Sequence, residues 1–408
     1  MNVPKLRFKG FEDEWKYEEL SNLVTYIKGF AFKSSDYKCD GYRIIRVSDL
    51  LKESINETND KIYIDKSRAE EFKKYQLQPE GIIVTTVGSK PELINSAVGR
   101  TIYYNDLKKE FLNQNLIKLT TKNKINSYFV YQNTKQKRYM NHIDSIQRGN
   151  ANQSNITVAE LLEYKMFMPT LEEQNKIADF FRELNKKIQL KQENINLLKE
   201  QKKGYMQKLF KQAVRFKDDN GGEYPKWRKK VKAAELFEAI SNKNPEEKLP
   251  VLSATQDQGM VLRDLLNKDM QYSTTNLNSY KIVDIDDFVI SLRSFQGGIE
   301  LSHLKGLVSP AYTIFRKKND DVCNNYFKYL FKTETFINQL KTATYGIRDG
   351  KSISYKDFST LKFDLPSYAE QRKIVDFLSK LDEKIQIEEQ KLDSLQEQKK
   401  GFMQQMFI

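Results

Sequence analysis

The side chains able to read a nucleic acid are Arg, Lys, Asn, Gln and Ser at base edges, with further Lys, Arg and backbone amides on the phosphates. This chain places such residues in polar, glycine-containing loops. In its first half they are Lys33, Arg43, Arg46, Ser89, Lys90 and Arg148; in its second half they are Arg263, Arg293, Ser294, Gln296, Arg348 and Lys351. Arg148-Gly149 and Arg348-Asp349-Gly350 stand out because each comes just before the last strand expected in its half. The chemistry on offer is hydrogen bonding and charge neutralisation rather than bond making.

Signals for catalysis are missing. Gly88-Ser89-Lys90 lacks the upstream glycine spacing of a phosphate-binding loop, so nucleotide hydrolysis is not expected. No Asn-Pro-Pro-aromatic tetrapeptide of amino-methylating enzymes occurs, and Asn244-Pro245-Glu246 reads as a turn. Asp286 and Asp287 read as turn residues flanking a strand. The only histidines are His142 and His303, and the only cysteines Cys39 and Cys323, too few and too scattered for a zinc site, a disulfide framework or most His-based catalysis. No catalytic residue, metal or cofactor is expected.

The elements that must position these loops have to come from 408 residues with a net charge of +13, 39% apolar and 30% charged. That length holds two or three domains, and the composition suits globular folding. A positive excess points to an acidic partner, of which double-stranded DNA is a common kind. No run of about 18 apolar residues exists and MNVPKLRFKGFEDEW carries no apolar signal core, so a cytoplasmic protein with no membrane contact is expected.

Comparing the chain with itself at an offset of 197 exposes a duplication. PTLEEQNKIADFFRELNKKIQLKQENINLLKEQKKGYMQKLF, from residue 169, aligns without a gap on PSYAEQRKIVDFLSKLDEKIQIEEQKLDSLQEQKKGFMQQMF, from residue 366, with 20 of 42 positions identical. Unrelated segments would share roughly two or three. Upstream, Gly149, Ile156 and Thr157 fall on Gly346, Ile353 and Ser354. Arg7-Phe8-Lys9 with Trp15 matches Arg215-Phe216-Lys217 with Trp227, and these are the only tryptophans.

Each copy announces a helix. Pro169 and Pro366 end the preceding segment, and Thr170 with Glu173, and Ser367 with Glu370, have capping-box spacing. Apolar residues then recur in steps of four and three: Ile177, Phe181, Leu184, Ile188, Ile195, Leu198, Tyr205 and Leu209. The second copy gives Ile374, Leu378, Leu381, Ile385, Leu392, Leu395, Phe402 and Met406. This heptad seam predicts two helices of about 60 Å that bury their stripes on one another. Between them, GIIVTT, RTIYY and LIKLT read as strands of the first half, and DFVISL, GLVS and AYTIF as strands of the second. YFVYQNTKQKRYMNHI and YFKYLFKTETFINQLK read as equivalent helices. The expected fold class is therefore α+β: two similar globular domains joined by two long helices that form an intramolecular antiparallel coiled coil with an approximate two-fold relation. The boundaries are 1–168 for the first domain, 169–212 for the first helical region, 213–365 for the second domain and 366–408 for the second helical region. A frame repeated with differing inserts suits a protein whose halves read different short features of one long ligand.

These features together resemble the specificity subunits of type I DNA restriction-modification systems, and the resemblance covers essentially the whole chain. It rests on the duplicated P-x-x-x-EQ-x-KI-x-DF helix starts, the EQKKG-[YF]-MQ helix endings, DFVISLRSFQGGIE with GLVSPAYTIFR, and GIIVTTVGS with LNQNLIKLT. The resemblance implies two target-recognition domains, each reading half of a bipartite site, and helices that set the spacing. It also implies two adenine methyltransferase subunits and an ATP-dependent endonuclease and translocase subunit as partners, and no catalytic centre in this chain. The second helix reaches the end of the sequence at Ile408, so a further circularising contact from a tail is not expected. Two alternatives from other classes stand beside this reading: a coiled-coil scaffold that touches no DNA, and an enzyme with an unrecognised site.

Overall fold

The computed structural model describes residues 2–89, 98–149, 153–243, 249–255, 258–266, 279–291, 298–343 and 353–408. They divide into two compact units, Met1–Gln192 with Gln390–Ile408, and Glu193–Glu389.

The first unit is built on a four-stranded antiparallel sheet in the order Val24–Lys28, Leu116–Thr121, Gly81–Thr85, Thr101–Tyr104. All five residues of Gly81–Thr85 are buried, as a strand covered on both faces requires. Alternation sends Ile82 and Val84 to the side of Phe129 and Val130, whereas Ile83 joins Ile45, Leu50 and Leu112 on the other. The second unit repeats the same strand order with Phe237–Ile240, Thr313–Lys317, Phe288–Ile290 and Ile299–Leu301. Its centre is aromatic: Phe288 and Phe315, paired across strands, stack at 5.1 Å, and Phe237, Phe331 and Phe358 surround them. The expected strand at GLVS forms as Gly306–Val308, but pairs with Lys281–Val283 outside that sheet.

Each expected domain helix is in fact two, Ser127–Asn133 with Lys137–Ile146, and Asn324–Leu330 with Glu334–Ala343. Threonines interrupt them. Thr134 Oγ1 donates to the Tyr131 carbonyl at 2.6 Å, and Thr333 Oγ1 accepts from Phe336 N–H to begin the next helix.

The long helices run from Leu171–Phe210 and Tyr368–Gln405, one residue after the predicted caps. Thr170 and Ser367 hydroxyls accept from Glu173 and Glu370 N–H at 3.4 and 3.3 Å. The carboxylates of Glu173 and Glu370, expected to close the capping box, serve a different purpose. Glu173, fully buried, takes Arg7 through Nε at 2.7 Å and a terminal nitrogen at 2.8 Å, and Trp15 Nε1 at 3.2 Å. Glu370 takes Arg215 at 2.9 and 2.7 Å and Trp227 Nε1 at 2.9 Å. These carboxylates raise the pKa of both arginines by hydrogen bonding. The next residue is also committed: Gln174 accepts from Asn126 N–H and donates to the Pro169 carbonyl, and Gln371 accepts from Cys323 N–H and donates to Pro366 and Asp321.

Within each unit the halves of the two helices pack antiparallel. In the first, Phe180 meets Phe402 at 5.0 Å, Phe181 meets Phe407 at 5.7 Å, and Leu6 N–H donates to the Gln405 carbonyl. In the second, Lys199 pairs with Glu389 at 2.7 Å, Lys202 with Asp382, and Tyr205 meets Phe377 edge to face at 5.1 Å. The heptad seam is buried or half-buried at all positions but one. Tyr205 is 45% exposed, its ring packed edge to face on Phe377.

Removing a buried ionic partner leaves charge unpaired. Glu173→Ala should cost about 3 kcal/mol in the unfolding transition that carries Trp15, and Glu370→Ala the same in the transition that carries Trp227. Tryptophan fluorescence in denaturant reads both; equal effects of either substitution on both transitions contradict anchoring unit by unit.

Candidate nucleic-acid interface

Of the residues singled out in the sequence, Arg148 lies on one edge of a small antiparallel sheet and Ser89 directly follows its other edge strand: Val87–Gly88 pairs with Ser154–Asn155, which pairs with Arg148–Gly149. The backbone carbonyl of Ser89 accepts from Val98 N–H at 2.9 Å. Gly149 is needed here. Its φ is +128°, and a Cβ would lie 2.2 Å from the Gln153 carbonyl oxygen.

Arg148, exposed at 59% of its side chain, grips Glu160 with both terminal nitrogens, one of them at 2.8 Å. Thr157 Oγ1 donates to the same carboxylate at 2.6 Å and accepts from Glu160 N–H at 3.2 Å, as the N-cap of the helix Val158–Leu162. His142 Nε2 lies 2.9 Å from the Glu160 carbonyl oxygen. Hydrogen bonds from Arg148 and then Thr157 lower the carboxyl pKa to about 2, and the same pairing raises that of Arg148. Glu160 was not legible as a site residue, although Thr157-x-x-Glu160 repeats the spacing that marks the long helices.

The remaining candidates are placed differently. Arg43 is 5% exposed; it donates to the Asn56 carbonyl at 2.6 Å and lies 3.1 Å from Glu57 and 3.8 Å from Glu110. Burial raises the Glu110 pKa, whereas Lys61 first, and Arg43 among others, lower that of Glu57. Arg46 closes a fork on buried Asp49 at 3.1 and 3.0 Å. Both guanidiniums thus hold the domain together. Lys33 is exposed, and its backbone N–H donates to Asp36 at 2.9 Å. Half-buried Arg263 donates to Tyr280 Oη at 3.2 Å, with its guanidinium 5.7 Å from that ring's centre. Lys90, Arg293, Ser294, Gln296, Arg348 and Lys351 lie outside the described residues. Among the described residues no group of three or more His, Cys, Asp or Glu could hold a metal ion, and no helix is long and apolar enough to cross a membrane.

The arrangement can present a fixed cation beside a short glycine-bound strand, which is the kind of group that meets a phosphate or a base edge. A family model for the type I restriction modification DNA specificity domain matches residues 12–200 and again 225–397. The chain is 26% identical, over 98% of its length and 95% of the relative's, to a Methanocaldococcus jannaschii protein named putative type I restriction enzyme MjaX specificity subunit. It is 24% identical, over 96% and 91%, to the type I restriction enzyme MjaVIII specificity subunit of the same organism. Among solved structures, the type I restriction-modification system S subunit from M. genitalium matches with a TM-score of 0.60 and 17% identity over 100% of this chain and 99% of that one. A chain from a study of complex assembly and conformational transition of the type I R-M system matches at 0.50, with 15% identity over 96% and 97%. At these identities the structures speak for the fold alone.

The Glu160 pKa lies below its usual 4.5, so the stabilising contribution of its pairing is present above about 4.5 and lost as pH falls toward about 2. Carboxyl-carbon NMR should find Glu160 titrating near the low value, and Arg148→Ala should move it upward. A titration unmoved by that substitution contradicts the pairing.

Proposed function

This chain belongs to the type I restriction-modification DNA specificity family, and from that premise we propose that it is the sequence-reading subunit of a restriction and modification complex. It is non-catalytic. Each unit reads one half of a bipartite target in double-stranded DNA, and the long helices set the spacing between the half-sites. The helices also dock two adenine methyltransferase subunits, to which endonuclease and translocase subunits are added for cleavage. The complex works in the cytoplasm.

The observation that carries this reading is that the family model matches twice, and each match spans one sheet of the same strand order together with most of the long helix that follows it. Duplication preserves the frame, and the loops between the shared strands differ in sequence. Two readers on one chain can then recognise unrelated half-sites, and the base contacts are free to diverge while the frame stays constant. Within this reading the loop candidates of both halves, from Lys33 to Lys351, remain proposals. Arg148 is the best supported, because its exposed side chain stands on a small sheet at the surface, with Ser89 just beyond the opposite edge strand.

Replacing residues 216–365 by the corresponding segment of a relative with another target should change one half of the methylated sequence and leave the other intact, as read by methylome sequencing. An unaltered methylome contradicts recognition by that unit. Inserting seven residues, about 10.5 Å of helix, at matching points of both long helices should widen the gap between half-sites by about three base pairs; an unchanged gap contradicts their role as the spacer.

A further inference from the structure

Resting on the reading of the first unit as a half-site reader, we infer that Glu160 is the positioning residue for Arg148: it holds the guanidinium by its two terminal nitrogens, leaving the Nε–H edge to meet an acceptor on DNA. The geometry distinguishes this pair from an ordinary surface ion pair, which is loosely held and contributes little. Both partners are fixed from behind. Arg148 sits on a two-residue strand whose neighbour, Gly149, permits no side chain. Glu160 is held through its carboxylate and backbone by Thr157, and its carbonyl oxygen lies within hydrogen-bond distance of His142. An arginine set in place before binding loses less conformational freedom when it meets DNA.

The carboxylate has a second consequence. It neutralises the guanidinium, so the attraction of Arg148 to phosphates in general is weakened, and its contribution is concentrated where an acceptor matches its fixed direction. In the second unit the counterpart to Thr157 and Glu160 is Ser354 and Asp357, whose side chain, one methylene shorter, accepts from Ser354 Oγ at 2.6 Å and from Ser354 N–H at 3.3 Å.

The test uses the full chain coexpressed with its methyltransferase partner. The probes are a duplex carrying the wild-type methylated sequence, found by methylome sequencing, and two duplexes in which one half-site or the other is scrambled. Arg148→Ala should lower discrimination at the first half-site about tenfold. Glu160→Gln should lower it comparably by a different route, tightening binding to the scrambled duplex and steepening the salt dependence by about one phosphate contact. The double variant should behave as Arg148→Ala, and discrimination at the second half-site should stay at the wild-type level throughout. Glu160→Asp, which keeps the charge and the cap but not the reach, should match Glu160→Gln and guards against a variant that fails to fold. If Arg148→Ala matters and both Glu160 variants keep wild-type discrimination and salt slope, the positioning role is overturned while the half-site reading survives. If Arg148→Ala leaves discrimination unchanged, the reading of this strand as part of the half-site fails as well.

Discussion

A carboxylate buried at the start of each long helix fixes how that helix leaves its domain. Taking a charge out of water is costly, and the pair with an arginine rarely returns more stability than an apolar cluster of the same size would. What Glu173 and Glu370 supply is direction. Each accepts a two-pronged arginine and an indole N–H, from residues that lie more than a hundred positions away along the chain. Because an arginine fork and a carboxylate share a plane, the first helical turn is oriented as well as attached. The helix N-terminus, where backbone N–H groups favour negative charge, is also where a carboxylate is least costly to bury. The adjoining Gln174 and Gln371 extend the attachment to the domain helices at Asn126 and Cys323.

The units themselves follow from that attachment. Each compact unit takes in one domain, the first part of the helix that follows it and the last part of the other helix. The apolar seam is satisfied inside each unit, by Phe180 on Phe402 in one and by Tyr205 on Phe377 in the other. Neither domain therefore depends on a separate core for its helices. The loops that differ between the halves hang from strands whose order is the same in both, so loop sequence can change without disturbing the frame. This is the physical basis for a reader whose target changes while its architecture persists.

Much of this was legible in the residues. The helix starts at Pro169-Thr170 and Pro366-Ser367 were readable because proline and a capping hydroxyl act locally, and the seam because heptad spacing is a property of one helix. The strands Gly81–Thr85 and Leu116–Thr121 were readable from their apolar runs. Val24–Lys28 was not, since only Val24 is fully buried and its pairing partner begins nearly a hundred residues later. The capping-box spacing was right for the hydroxyl and wrong for the carboxylate, whose partners Arg7 and Trp15 come from far upstream. Exposure was not legible either. Arg43, Arg46 and Arg148 are all arginines beside strands or turns and each meets a carboxylate, but only the fold shows that the side chains of Arg43 and Arg46 are 5% and 28% exposed while that of Arg148 is 59% exposed.

The central claim is that one chain reads two separate stretches of a single duplex. Base-removal interference on a duplex bearing the methylated sequence, bound by the chain with its methyltransferase partner, tests it most directly. Two clusters of positions where loss of a base weakens binding, divided by a stretch where removal has no effect, are predicted. A single unbroken cluster, or no sensitive position at all, contradicts it.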